Sequence, residues 1–111
     1  MPAPANKRKN KRAYQLKPTL VTLKGADFEL NDISSGGIGV VIEKSGPEFI
    51  TGERIEKIPL ELQSGMVNLK GVVSHISVST EKTICGIRFL LADDEFDVVI
   101  QFKKEREPLE L

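Results

Sequence analysis

Tryptophan is absent from this chain, and its 111 residues hold one cysteine, one histidine and one tyrosine. A single cysteine excludes an internal disulfide and fits a reducing, cytoplasmic compartment. No stretch approaches the ~18 apolar residues of a bilayer span, so membrane insertion is not expected. The N-terminus also lacks the apolar core of a signal peptide. Catalytic material is equally sparse. His75 and Cys85 could in principle meet on neighbouring strands as base and nucleophile. Cys85, however, keeps phase with Ile87 and Phe89 and reads as a small core residue, whereas His75 is out of phase with Ile76 and faces outward. One His and one Cys, with carboxylates in no recognisable spacing, do not make a metal site. So little of a catalytic constellation can be assembled that a binding protein, not an enzyme, is expected.

Acid is missing from the first 24 residues. Lys7, Arg8, Lys9, Lys11, Arg12, Lys17 and Lys24 make that segment +7, and the remainder, with nine basic and sixteen acidic residues, is −7. Such asymmetry reads as a basic arm on an acidic body. MPAPANKRKNKR has two prolines, dense like charge and no large apolar residue beyond Met1. Residues 1–13 are therefore expected to be a flexible arm, and 14–111 a single folded domain. A chain of this length buries roughly two-thirds of its unfolded surface in one core.

What is present is alternation of period two. TLVTLKG (19–25) and ADFELNDIS (26–34) flank Gly25 as a hairpin, and GIGVVIE (37–43) is a third strand. Gly46-Pro47 and Gly52 mark a loop. RIEKIPLEL (54–62) is a fourth strand, at an edge or irregular because Pro59 cannot donate to a ladder. MVNLKGVVSHISVST (66–80) is long, and its apolar phase slips between Val67/Leu69 and Val72/Ile76/Val78, as a bulge near Gly71 would produce. KTICGIRFLL (82–91) is the sixth. Residues 93–106 then change period. Phe96, Val99, Ile100 and Lys103 share a helical face, acids lie at its start, and Lys103, Lys104 and Arg106 at its end. Six strands and one helix make a small antiparallel barrel or sandwich capped by that helix.

Residues 31–40, NDISSGGIGV, place three glycines beside a carboxylate and hydroxyls. A P-loop is excluded because no Gly-Lys-Ser/Thr follows, and a dinucleotide fingerprint because Ile42 stands where its third glycine belongs. The bland reading is a loose turn in which Asp32 or Ser34 caps local backbone. The functional one is a ligand cradle. Glycines admit a ligand to the backbone, Ser34 donates and accepts, and Asp32 can accept from the N1–H and N2–H₂ of a guanine. The basic stretch is likewise either a solvated tail or a phosphate grip. Arg8 and Arg12 bring planar forks that bind phosphate bidentately and match a guanine edge.

Together, R-x-x-x-R at Arg8–Arg12 and D-x-S-x-x-G at Asp32, Ser34 and Gly37, which begins 24 positions later, resemble the PilZ domain family of bacterial cyclic di-GMP receptors. GIRF at 86–89 is similar to another family signature, and the resemblance covers nearly the whole chain. It implies an all-β fold, a six-stranded antiparallel barrel with a C-terminal helix. It also implies a non-enzymatic receptor. Arg8 and Arg12 would hold phosphates and guanines, Asp32 and Ser34 would hydrogen-bond a guanine, and Gly37 would keep the turn open. Lys7, Lys11 and Gly36 are possible further contacts. A basic residue before the arginine pair, here Lys7, resembles the case in which two nucleotides stack, so two per chain are expected. No cofactor beyond the ligand is implied. With no output domain evident, the arm would fold over the ligand and signal to a separate, unidentified protein. Two alternatives remain: a nucleic-acid clamp and a nucleotide-independent protein adaptor. The first is disfavoured because stacking aromatics are few and Asp32 repels phosphate, the second because the motif is complete.

Overall fold

Leu23 and Ala26 face each other across a two-residue turn in which Lys24 and Gly25 both have positive φ, 53° and 79°. That left-handed pair matches the twist of the strands it joins, so the chain opens with a tight hairpin. In the computed structural model residues 17–43 and 46–107 are described. The arm at 1–13 lies outside them. The described residues form β1 (Leu20–Leu23), β2 (Ala26–Ser34), β3 (Gly37–Ile42), β4 (Arg54–Leu62), β5 (Gly65–Val78), β6 (Thr83–Leu90) and α1 (Phe96–Arg106), the helix led in by a 3-10 turn at Asp93–Glu95.

Every neighbouring pair is antiparallel, in the order β1-β2-β3-β6-β5-β4. β1 and β4 approach each other without a ladder, which leaves a nearly closed barrel with one seam. Pro59 lies on β4 opposite Asn68 and has no N–H to offer towards β1, as expected for an edge. Inside are Val21, Leu23, Ile33, Ile38, Val40, Ile58, Leu60, Leu69, Val73, Cys85 and Ile87, all essentially inaccessible.

α1 packs over the seam. Val99 and Phe102 are buried, the Arg106 guanidinium lies 4.4 Å from the Phe102 ring centroid and donates to the Glu61 carbonyl, and Glu105 accepts from Gln63 N–H at 3.0 Å. The Lys17 N–H donates to the Arg106 carbonyl at 2.9 Å, tying the chain ahead of β1 to the helix end. The buried stripe therefore differs from the one the sequence indicates: Phe96 and Ile100 are exposed. These ties at the C-terminal end select a face turned by roughly a quarter turn from the Phe96/Ile100 side.

Three register shifts break the alternation. β2 carries an extra residue, Asn31, between the pairs Leu30–Val40 and Asp32–Gly39. β4 has Glu56 and Lys57 opposite Lys70 alone. β5 carries an extra Ser74 between Val73–Ile87 and His75–Gly86. The slip expected near Gly71 thus falls three residues later on β5, and Val73, not Val72, is the core residue. Gly71 is a packing site instead: a Cβ there would stand 2.8 Å from Ile58 Cδ1, Ile87 Cγ2 and the Arg88 carbonyl. Ser74 suits the bulge because its hydroxyl donates to the Gly86 carbonyl at 3.1 Å.

Candidate functional site

Without the bulge at Asn31, Asp32 would follow Leu30 into the core. The extra residue reverses the parity. Leu30 and Ile33 both point inward, and Asp32 and Ser34 turn to the outer face of β2. Both are nonetheless buried, at 5% and 3% exposure. Next to them the outer face of the sheet is nearly bare. Asp32 pairs with Gly39, Gly39 with Gly86, and Gly86 with His75. Beside that row runs a second, in which Ser34 pairs with Gly37, Gly37 with Arg88 and Arg88 with Val72.

The Asp32 carboxylate lies over Gly39. A Cβ on Gly39 would stand 2.2 Å from Oδ2, so the carboxylate occupies space that only glycine leaves vacant. Asn31 Nδ2 donates to Asp32 Oδ2 at 2.8 Å, and Lys82 Nζ donates to Asn31 Oδ1 at 2.7 Å. The bulge residue thus has two functions. It turns Asp32 outward, and it links the carboxylate to a cation on the approach to β6.

Ser34 braces the hairpin tip. Gly36 N–H donates to Ser34 Oγ at 3.3 Å, and the hydroxyl reaches the Gly37 carbonyl at 3.4 Å, a long and weak contact. The Gly36 carbonyl accepts from Phe89 N–H at 2.9 Å, pinning the tip to β6. Gly37 is not in the turn: it opens β3, and a Cβ there would come 2.2 Å from the Ile87 carbonyl. Its bareness serves the close approach of β3 to β6.

Of the residues expected from sequence, Asp32, Ser34, Gly36 and Gly37 are therefore brought together on one hairpin. Lys7, Arg8, Lys11 and Arg12 lie outside the described residues. Sequence reasoning missed Asn31, Gly39, Lys82 and Gly86. The signal for the glycines was present, since IGV (38–40) and CGI (85–87) both put a glycine between core-phase residues. Their alignment in one row depends on cross-strand register. Among the described residues no cluster of three or more His, Cys, Asp or Glu is placed to hold a metal ion. No described helix is long and apolar enough to cross a membrane.

The arrangement is a glycine-floored outer face edged by a carboxylate and a hydroxyl, suited to a flat polar ligand. A family model for the PilZ domain matches residues 6–103. The chain belongs to the PilZ domain family. A search among curated proteins finds no match. Solved structures do match. The isolated PilZ domain of YcgR from Escherichia coli, solved with c-di-GMP, superposes with a TM-score of 0.68 at 20% identity, covering 90% of this chain and 94% of that one. Longer YcgR from the same organism, in complex with c-di-GMP, gives 0.69 at 21% identity over 89% of this chain and 45% of that one. The K. pneumonia MrkH–c-di-GMP complex gives 0.69 at 12% identity over 91% and 52%. At these identities the likeness establishes the PilZ barrel. The chain spans about half the length of the two longer proteins.

Proposed function

We propose that this PilZ domain is a cyclic di-GMP receptor that binds its ligand on the outer face of β2 and β3. The observation that carries the reading is the bulge at Asn31, which turns Asp32 and Ser34 out of the core beside Gly39. A carboxylate there can accept two hydrogen bonds from a guanine edge. The c-di-GMP complexes of YcgR and MrkH support the same ligand class. Arg8 and Arg12 would supply the phosphate grip, with Lys7 and Lys11 as further cations, and Gly36 and Gly37 would shape the tip. In this reading the domain binds without chemistry. The arm closes over the ligand, and the altered surface is read by a protein partner. Two nucleotides per chain fit the concentration of cations at Lys7, Lys9, Lys11 and the arginines.

The test is isothermal titration with cyclic di-GMP, run beside a random oligonucleotide at two salt concentrations. Saturable, guanine-specific binding is expected, with a plateau at two ligands per chain. A plateau at one would correct the stoichiometry alone. Salt-sensitive oligonucleotide binding without cyclic di-GMP binding would overturn the receptor reading.

A further inference from the structure

His75 reaches the candidate site by the same device as Asp32. β5 would carry His75 inward after Val73, but the extra residue Ser74 reverses the parity and sets the imidazole on the outer face, opposite Gly86. Two bulges on different strands therefore deliver Asp32 and His75 to the two ends of one row, Asp32–Gly39–Gly86–His75. Both side chains lean inward over the paired glycines.

The ring's attitude can be read from its distances. Cε1 lies 2.3 Å, and Nδ1 and Nε2 each 2.7 Å, from where a Cβ on Gly86 would stand. Both nitrogens are almost as near as the carbon between them, so the ring turns its face to Gly86. An edge-on ring would hold the nitrogens distinctly farther out. The imidazole thus lies flat against the sheet, and the exposed residue presents its other face outward. Ser74 holds it there. Its hydroxyl gives its one proton to the Gly86 carbonyl at 3.1 Å, and so accepts from Nδ1–H, also at 3.1 Å.

A flat, held aromatic ring with one open face is what a nucleobase stacks on. Other rings of the described residues are unavailable on this face: Phe28, Phe49, Phe89 and Phe102 are buried, and Phe96 lies on α1. We infer that His75 is a further ligand-contacting residue, an aromatic platform on which a purine of the ligand held by Asp32 and Ser34 stacks. Ser74 and Gly86 are its positioning residues. The inference rests on the receptor reading above.

Cyclic di-GMP is titrated into the wild type, His75→Ala and His75→Phe, with thermal midpoints and His75 ring resonances recorded. Because the side chain is exposed, the midpoints should barely move. His75→Ala should bind roughly ten-fold more weakly, the size of one lost base–aromatic stack, and His75→Phe should keep wild-type affinity. The ring resonances of the wild type should shift on saturation. Unchanged affinity in His75→Ala, or a loss in His75→Phe equal to that in His75→Ala, overturns the platform and leaves the receptor standing. No binding by the wild type overturns both.

Discussion

Asp32 is a buried acidic side chain on the outer face of β2. Asn31 supplies one hydrogen bond, and the ligand proposed here would add a guanine edge. Asp32→Ala should therefore weaken cyclic di-GMP binding. A nucleic-acid clamp would instead gain affinity once a charge repelling phosphate is removed, so the sign of the change in paired titrations decides between the two. The arginines make a second prediction at this scale. Losing one partner of a desolvated charge pair costs about 2–5 kcal/mol, or about thirty-fold or more in affinity. Arg12→Ala should nearly abolish binding, and Arg12→Lys should restore little because an ammonium lacks the planar fork. Wild-type affinity in Arg12→Ala, by isothermal titration, would remove the arm from the site.

At the scale of the element, β3 carries two glycines with different tasks. A methyl at Gly37 would meet the Ile87 carbonyl, which is backbone and cannot rotate away; one at Gly39 would meet the Asp32 carboxylate, which can. Gly37→Ala should lower stability by about 1–3 kcal/mol, the usual cost of overpacking. Gly39→Ala should change the unfolding midpoint much less and still weaken ligand binding by displacing Asp32. Urea melts and titrations on the same two variants check both halves. Equal loss of stability in the two would mean that Asp32 is clamped, with no room to turn aside. The strands themselves were legible from alternation, including Gly65–Val78 and the edge character of the strand with Pro59. The helix was legible in extent but not in facing. Periodicity shows which side chains share a stripe, and the contacts of Arg106 with Glu61 and of Glu105 with Gln63 choose the stripe that is buried.

Over the whole molecule, ligand binding should order the arm. Residues 1–13 have few apolar side chains to offset a backbone cost of roughly 1–2 kcal/mol per residue. Amide exchange across residues 7–14 should slow with cyclic di-GMP; equal protection in both states would mean that the signal does not run through the arm. The barrel's interior makes a separate prediction. Burial, aided by the nearby Glu53 carboxylate, pushes the Cys85 thiol from 9.0 up to about 11. The folded state thus keeps a proton that the unfolded chain loses. Its favourable contribution is intact below the unfolded value and erodes as pH rises through the window to about 11, by about 1.4 kcal/mol per pH unit. Denaturant melts of the wild type and Cys85→Ala should converge as pH rises from 9 to 11. A constant difference would mean that the thiol ionises equally in both states.

What the linear sequence determined by itself is whatever depends on near neighbours. Hydrophobic alternation places strands because successive side chains of an extended chain face opposite ways. Like charge and proline set residues 1–13 apart in composition, and the spacing of Arg8, Arg12, Asp32, Ser34 and Gly37 carries the family resemblance. What only the tertiary structure decided is which residues share a face across strands. One inserted residue reverses the parity of everything after it, and nothing in NDIS or VVSH announces that Asn31 and Ser74 are the insertions. Whether an extra residue is accommodated depends on the register with the partner strand, here at Gly39 and Gly86, and a local pattern does not contain that register. The row joining Asp32 to His75 therefore exists only once β2, β3, β6 and β5 are in register.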